Sequence, residues 1–117
     1  MRKALLSALL LAALPAPATA DSYPVSGSWG QNTGSEPGAI DCSNKRVIAF
    51  NGNQRTDSGG AVHAFRNKSV TPTSPTSYRV VDWFSNGLVR NGTVQTDLRK
   101  IDGDHVQFGA LKLQRCQ

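Results

Sequence analysis

The sequence is poor in the residue types that build metal centres and nucleophilic sites. Its 117 residues include two histidines and two cysteines. His63 and His105 have no third ligand at a recognisable spacing, so we expect no metal site and no cofactor. Cys42 and Cys116 are far from the Cys-x-x-Cys spacing of redox motifs. These shortages argue against a metalloenzyme and against a thiol oxidoreductase.

Long apolar runs and clusters of like charge are also missing after residue 20. No later segment approaches the roughly 20 apolar residues that cross a bilayer, so we expect no membrane span. With Arg2 and Lys3 set aside, 11 basic residues stand against 8 acidic ones, a net charge of +3. The basic residues are spread along the chain, which argues against a nucleic acid partner and indicates a mildly basic surface.

Residues 1–20 have the composition of a secretory signal peptide. Arg2 and Lys3 are followed by an apolar run, and the segment ends in the small-residue pattern Ala-Thr-Ala. A membrane anchor, the alternative, would need a longer apolar run. We therefore expect a periplasmic or secreted protein whose mature part, residues 21–117, is a single small β domain.

Cys42 and Cys116 form an even pair in a chain predicted to be exported, where disulfides persist. We predict a disulfide between them. It would close a loop that spans most of the mature domain, and the chain-entropy model puts its contribution at about 4 kcal/mol.

Short apolar or alternating runs separated by turn residues indicate an all-β fold. No window after residue 20 shows sustained helical periodicity, although Gly38–Asn44 leaves room for a short helix. Polar composition predicts surface loops at Asn53–Gly60 and Asn67–Ser77. The predicted fold is a small antiparallel meander barrel or sandwich of about six to eight short strands. The strands are predicted at Ser26–Gln31, Lys45–Asn51, Ala61–Arg66, Tyr78–Phe84, Thr93–Arg99 and Val106–Leu113.

Glycine-containing pairs mark the expected turns. Asp102-Gly103 predicts a two-residue hairpin loop. Asn86-Gly87 and Asn91-Gly92 are too close together for two tight hairpins, so either one is a turn and the other a bulge, or the whole stretch is a wide loop. Gly109 lies where the apolar parity of the last strand changes, which suggests a bulge or a bend.

Thr56 to Gly60 reads Thr-Asp-Ser-Gly-Gly, which resembles the sequence around the nucleophile of chymotrypsin-like proteases. The match lacks its first glycine. Those enzymes place the catalytic His and Asp before the Ser, whereas His63 and His105 both follow Ser58. We interpret the segment as a loop between strands and predict that the protein is not an enzyme.

The strand Tyr78–Phe84 carries the candidate binding residues. Successive side chains of a strand face opposite sides, and burying an unpaired arginine is costly. The inward set is therefore expected to be Tyr78, Val80 and Phe84, and Asp82 then needs a partner inside or a bend that turns it toward water. The outward set, a possible binding face, is Arg79, Val81 and Trp83, which includes residue types enriched at protein interfaces. The competing interpretation places all the aromatic side chains in the core, as we expect for Trp29.

Scattered residues resemble small exported bacterial calycin-like proteins, many of which have no assigned activity. They are Trp29-Gly30, Cys42, Asp102-Gly103-Asp104 and Leu113-Gln114-Arg115-Cys116. The resemblance implies a lipocalin-like barrel and carries no site residues.

Together these observations predict a non-enzymatic exported barrel that binds a small apolar ligand or another exported protein. An alternative is a periplasmic inhibitor of a protease or a lysozyme, by analogy of architecture. A hydrolase is a second alternative, and the number and order of the histidines argue against it.

Overall fold

Residues 21–117 are described by a computed structural model, and the predicted signal peptide lies outside the described residues. The described chain forms eight antiparallel strands closed into a barrel: each strand pairs with the next, and the first pairs with the last. The predicted all-β class is confirmed, and the architecture is a barrel rather than a sandwich. The strands are β1 Gly27–Gln31, β2 Val47–Asn51, β3 Gln54–Asp57, β4 Ala64–Ser74, β5 Ser77–Phe84, β6 Gly92–Lys100, β7 His105–Phe108 and β8 Leu111–Arg115.

Alternation along the strands fills the barrel with apolar side chains. In β2, Ile48 and Phe50 are buried, whereas Val47 and Ala49, which alternate with them, are half-buried. Trp29 is 1% exposed, which confirms its expected core position. The buried apolar side chains are Tyr23, Trp29, Ile48, Phe50, Val70, Val80, Leu98, Val106, Phe108 and Leu113.

The prediction of surface loops at Asn53–Gly60 and Asn67–Ser77 is wrong. The first contains β3, and β4 runs through the second as far as Ser74. Arg55 and Asn67 are buried at these positions because other polar side chains bind them there, so polar composition misrepresents their environment. The register of β4 also shifts between Asn67 and Ser69 and again between Pro72 and Ser74. At the second shift Pro72 supplies no N–H to the ladder.

The last predicted strand is in fact two strands joined by a tight turn. Gly109, with a φ of 61°, and Ala110 link β7 to β8, and Phe108 pairs with Leu111 across the turn. A positive φ at the first central residue is typical of a type II′ hairpin. The predicted Asp102-Gly103 loop is longer than two residues, because residues 101–104 connect β6 to β7.

Residues 85–91 form a wide loop between β5 and β6, one of the two arrangements that the paired Asn-Gly sequences allowed. The side-chain oxygen of Asn86 accepts hydrogen bonds from the N–H groups of Leu88 and Val89. Asn91 adopts a left-handed φ of 52° where the chain enters β6. This loop presents Leu88 to solvent at 97% exposure.

The predicted disulfide is present between Cys42, in the β1–β2 connection, and Cys116, directly after β8. It lies beside the seam where β1 and β8 close the barrel. Gly30 of β1 makes room for it, since a Cβ at that position would lie 2.5 Å from Cys42 Sγ. Gly38–Asn44 contains no helix. Among residues 21–117 there is no helix of sufficient length and apolarity to cross a membrane.

Candidate functional site

The two ends of the barrel differ. At one end, beside the β2–β3 turn, Tyr23 inserts its ring against Phe50 with a centroid distance of 5.0 Å. At the other end, where the β3–β4 and β5–β6 loops lie, a cavity of about 400 Å³ opens into the barrel. Its apolar wall consists of Ile48, Val62, Phe65, Phe84, Val94, Phe108 and Leu111. A concave site of this size with mostly apolar walls is typical of small-molecule binding.

A buried ion pair lies at the floor of this cavity. Arg55 of β3 donates from Nε and Nη2 to Oδ2 of Asp82 in β5, at 3.1 and 2.9 Å. The two side chains are 4% and 0% exposed. Arg55 lines the cavity, and Asp82 lies behind it. Asp82 therefore has the interior partner that the β5 pattern required, and removal of either charge would leave the other buried and uncompensated.

Two further side chains complete the coordination of Asp82. The Tyr23 hydroxyl donates to Asp82 Oδ1 at 2.7 Å, and Asn67 Nδ2 donates to the same oxygen at 3.0 Å. Burial, together with this carboxylate, raises the pKa of Tyr23 above its usual range, so the hydroxyl stays protonated and remains a donor. Within the described chain, Asn67 Oδ1 is buried without a hydrogen-bond partner.

Aromatic rings hold the Arg55 guanidinium in place. Its central carbon lies 3.7 Å from the ring centroid of Phe65 and 4.8 Å from that of Phe108. Both rings also line the cavity. Because the guanidinium is fixed by Asp82 and by two rings, its remaining edge is presented in a defined direction.

A second ion pair borders the cavity at the end of β3, in the segment that resembles a protease motif. Arg46 donates from Nε and Nη2 to the two oxygens of Asp57 at 2.9 and 2.7 Å. Burial opposes ionisation of Asp57, but Arg46 and the N–H of Gly59 outweigh it and lower the pKa of this carboxyl. The Ser58 hydroxyl accepts a hydrogen bond from Val47 N at 2.8 Å, which ties the loop to the start of β2.

The possible binding face lies outside the barrel. Arg79 is exposed, and Val81 and Trp83 are half-buried, alternating with the buried Val80 and Asp82. Of the expected inward set, Tyr78 and Phe84 are partly buried. Lys68 Nζ lies 4.6 Å from the Trp83 ring centroid and covers part of that ring. A groove of about 420 Å³ runs beside Trp83 and is lined by Gln54, Thr56, Ala64, Arg66 and Asn91, among others.

His105 forms a separate polar cluster on the closed side of the barrel. Its Nδ1 lies 2.8 Å from Asp102 Oδ1, and its Nε2 lies 3.1 Å from the carbonyl oxygen of Glu36. The hydrogen bond to Asp102 raises the pKa of His105. In return, the hydrogen bond from His105 lowers the pKa of Asp102. In the part of the chain that the structure describes, no group of three or more His, Cys, Asp or Glu residues could hold a metal ion.

Sequence reasoning missed Arg55 and Tyr23 as interior residues. Tyr23 precedes β1 in a segment rich in turn-forming residues, and no periodic signal marks its burial. A signal for Arg55 did exist, because Arg55 and Asp57 alternate with Gln54 and Thr56 as the burial of β3 does. Because Arg55 and Asp57 are charged, the composition of this segment favours a loop.

Compared with protein-family models, curated proteins and solved structures, the chain matches none.

Proposed function

We propose that the protein is a non-enzymatic binding protein that takes a small, mostly apolar ligand into the open end of its barrel. The observation that carries this proposal is the cavity of about 400 Å³ with its apolar wall. The interior of a barrel of about eight strands is either filled by its own side chains or wide enough to hold one small ligand, and a site of this volume fits the second case. An apolar ligand that fills it would remove these walls from water.

The polar groups at the cavity support binding rather than hydrolysis. Asp57 and Asp82 are each engaged by a guanidinium, and the Ser58 hydroxyl is bonded to the backbone of β2. None of these groups is arranged as a nucleophile with an adjacent base. The predicted signal peptide and the disulfide, which is compatible with an oxidising compartment, support the proposal of a periplasmic or secreted location.

The test uses the neutral fluorescent probe N-phenyl-1-naphthylamine. We expect the folded protein to enhance its fluorescence with saturable, one-site behaviour. Leu111→Trp adds bulk inside the cavity wall and should abolish the enhancement. Val81→Trp, a change to the same residue on the outer face of β5, is the matched control and should leave probe binding intact.

Equal enhancement by both variants would mean that the probe binds elsewhere, and the proposal would fall. A native mass spectrum of the protein from its source would add an independent result, since a retained ligand should appear as a discrete mass difference.

A second candidate function, binding of an exported protein, is favoured by the outer groove beside Trp83 and by the exposed Leu88. An inhibitor of a protease or a lysozyme would be one case of this second function. The Asn86 N–H donates to the Val89 carbonyl, so the chain reverses at Leu88 instead of presenting an extended, substrate-like segment. Trp83→Ala should weaken binding of such a partner by more than ~1 kcal/mol and leave probe binding unchanged.

A further inference from the structure

We propose that the ligand carries a hydrogen-bond-accepting anionic head group, most simply a carboxylate, which pairs with Arg55 at the cavity floor. This inference rests on the proposed function and adds the chemical class of the ligand. It follows from a count of the hydrogen-bond donors and acceptors that remain unused at the floor.

The carboxylates near the floor are largely occupied. Asp82 accepts four hydrogen bonds, two from Arg55, one from Tyr23 and one from Asn67. Asp57 also accepts four, two from Arg46 and one each from the N–H groups of Gly59 and Gly60. An ionised carboxylate offers about four lone-pair sites. Asp82 therefore has no capacity left for a donor on a ligand. Asp57 accepts three of its four hydrogen bonds at Oδ1, so its Oδ2, which accepts from Arg46 alone, keeps one open site.

The donors are not exhausted. A guanidinium has about five N–H donors in a fixed fork. The ion pair uses Nε and Nη2 of Arg55 and leaves Nη1 outside it. Arg46 likewise uses Nε and Nη2 toward Asp57. Both arginines and Asp57 line the cavity, so it presents more unused donors than open acceptors to whatever enters.

The excess of donors over open acceptors favours some head groups over others among ligands of equal apolar size. A carboxylate can accept from Arg55 without displacing Asp82, and a charge-assisted hydrogen bond is stronger in a site with low dielectric. An ammonium group would meet two cationic side chains, and the open acceptor site of Asp57 is on Oδ2, which Arg46 already engages. An alcohol could accept from the guanidinium, but it brings no negative charge of its own and gains less than a carboxylate, where both partners are ionised. The expected order of affinity is therefore carboxylate, then alcohol or ester, then amine.

The experiment compares four probes with the same chain: decanoate, methyl decanoate, decanol and decylamine. Each displaces N-phenyl-1-naphthylamine from the wild-type protein at neutral pH and below its aggregation concentration. We expect decanoate to bind about tenfold more tightly than the ester or the alcohol, which corresponds to one additional charge-assisted hydrogen bond. Decylamine should bind most weakly.

A paired variant isolates the contribution of the floor. Arg55→Leu with Asp82→Leu removes both charges together, which avoids leaving one buried and unpaired. In this double variant decanoate should lose its advantage over methyl decanoate, with both compounds compared at the probe affinity that the variant itself shows. Should the variant not fold, side-chain NMR of wild-type Arg55 decides instead. Decanoate should shift the Arg55 side-chain nitrogen resonances, and decylamine should not.

The outcomes separate the two proposals. If no apolar probe binds the cavity, the proposed function itself fails. If all four compounds bind with equal affinity, or if the amine is preferred, the apolar site stands and the carboxylate inference is overturned. An advantage of decanoate that persists in the double variant, or unshifted Arg55 resonances, would also overturn it.

Discussion

At the scale of single residues, the polar cluster around Asp82 links stability to the proposed site. Asp82 is fully buried and is held by three side chains that come from three separate segments of the chain. Tyr23 approaches it from the closed end, and Arg55 connects it to the cavity. Because a buried carboxylate is costly to desolvate, each hydrogen-bond donor to Asp82 should contribute measurably to the free energy of unfolding.

Tyr23→Phe should lower the free energy of unfolding by about 1.5–3 kcal/mol, because it removes a hydrogen bond to a buried carboxylate and leaves the ring in place. Tyr78→Phe removes the same atom from a half-buried residue on β5 and is the matched control. Urea denaturation of the two variants measures the difference. Equal losses in both would show that the Tyr23 hydroxyl contributes nothing specific.

Which side chains face the barrel interior was partly predictable from the sequence. The alternation of β5 predicted that Asp82 would need either a partner inside or a bend that turns it toward water, because an unpaired buried charge is costly. The identity of that partner was not predictable, since Arg55 is 27 residues away and lies in a segment read as a loop. A single sequence carries no information about which distant strands become neighbours.

At the scale of elements, a long connection between β1 and β2 lies across the outside of β8. Gln114 of β8 donates from Nε2 to the carbonyl oxygens of Glu36 and Gly38, and its Oε1 accepts from Asn32. This explains why Gln114 is buried although it faces away from the apolar core. His105 of β7 adds a further hydrogen bond to the same connection.

The contribution of His105 should depend on pH. Its pKa in the folded protein is raised above 6.5, chiefly by Asp102, so the stabilisation is fully present below pH 6.5 and is lost as the pH rises through the folded value. The protonated ring can donate to both Asp102 and the Glu36 carbonyl. We expect His105→Asn to reduce Tm more at about pH 5.5 than at about pH 8.5.

His63→Asn, at the exposed histidine, controls for the loss of an imidazole. Amide exchange of residues 32–38 should report the same transition locally. A Tm difference for His105→Asn that is constant across this pH range would contradict the argument.

Element positions followed from the sequence where apolar alternation was strong. The predicted Thr93–Arg99 strand corresponds to β6, and the predicted Lys45–Asn51 strand contains β2. Prediction failed where polar residues enter the interior in pairs, as in β3, and where one glycine reverses the chain, as at Gly109. In both cases pairing with a neighbouring strand decides the conformation, and local composition does not report it.

At the scale of the whole molecule, closure of the barrel depends on the pairing of β1 with β8. This seam joins Trp29, Gly30 and Gln31 to three residues of β8. The disulfide lies next to it and links residues that are 74 positions apart. The covalent bond therefore reinforces the place where the first and last strands meet.

Replacement of both cysteines, Cys42→Ser with Cys116→Ser, should lower the free energy of unfolding by about 4 kcal/mol, because the unfolded chain regains the entropy of a long loop. Denaturation in urea, with the slope compared between the two proteins, measures the loss. Amide protection should fall first in β1 and β8. Uniform loss of protection in all strands would show that the seam is not a separate weak point.

The position of the seam also determines the order in which the strands can pair during folding. Seven of the eight strand pairings join neighbours in the sequence, so those pairings can form before the last strand is in place. The eighth cannot form until the last strand exists, and until then both terminal strands have an edge with unpaired N–H and C=O groups. Closing so distant a pair is slow relative to local hairpin formation. The incomplete barrel is thus the species most prone to self-association, and rapid oxidation of Cys42 and Cys116 would shorten its lifetime.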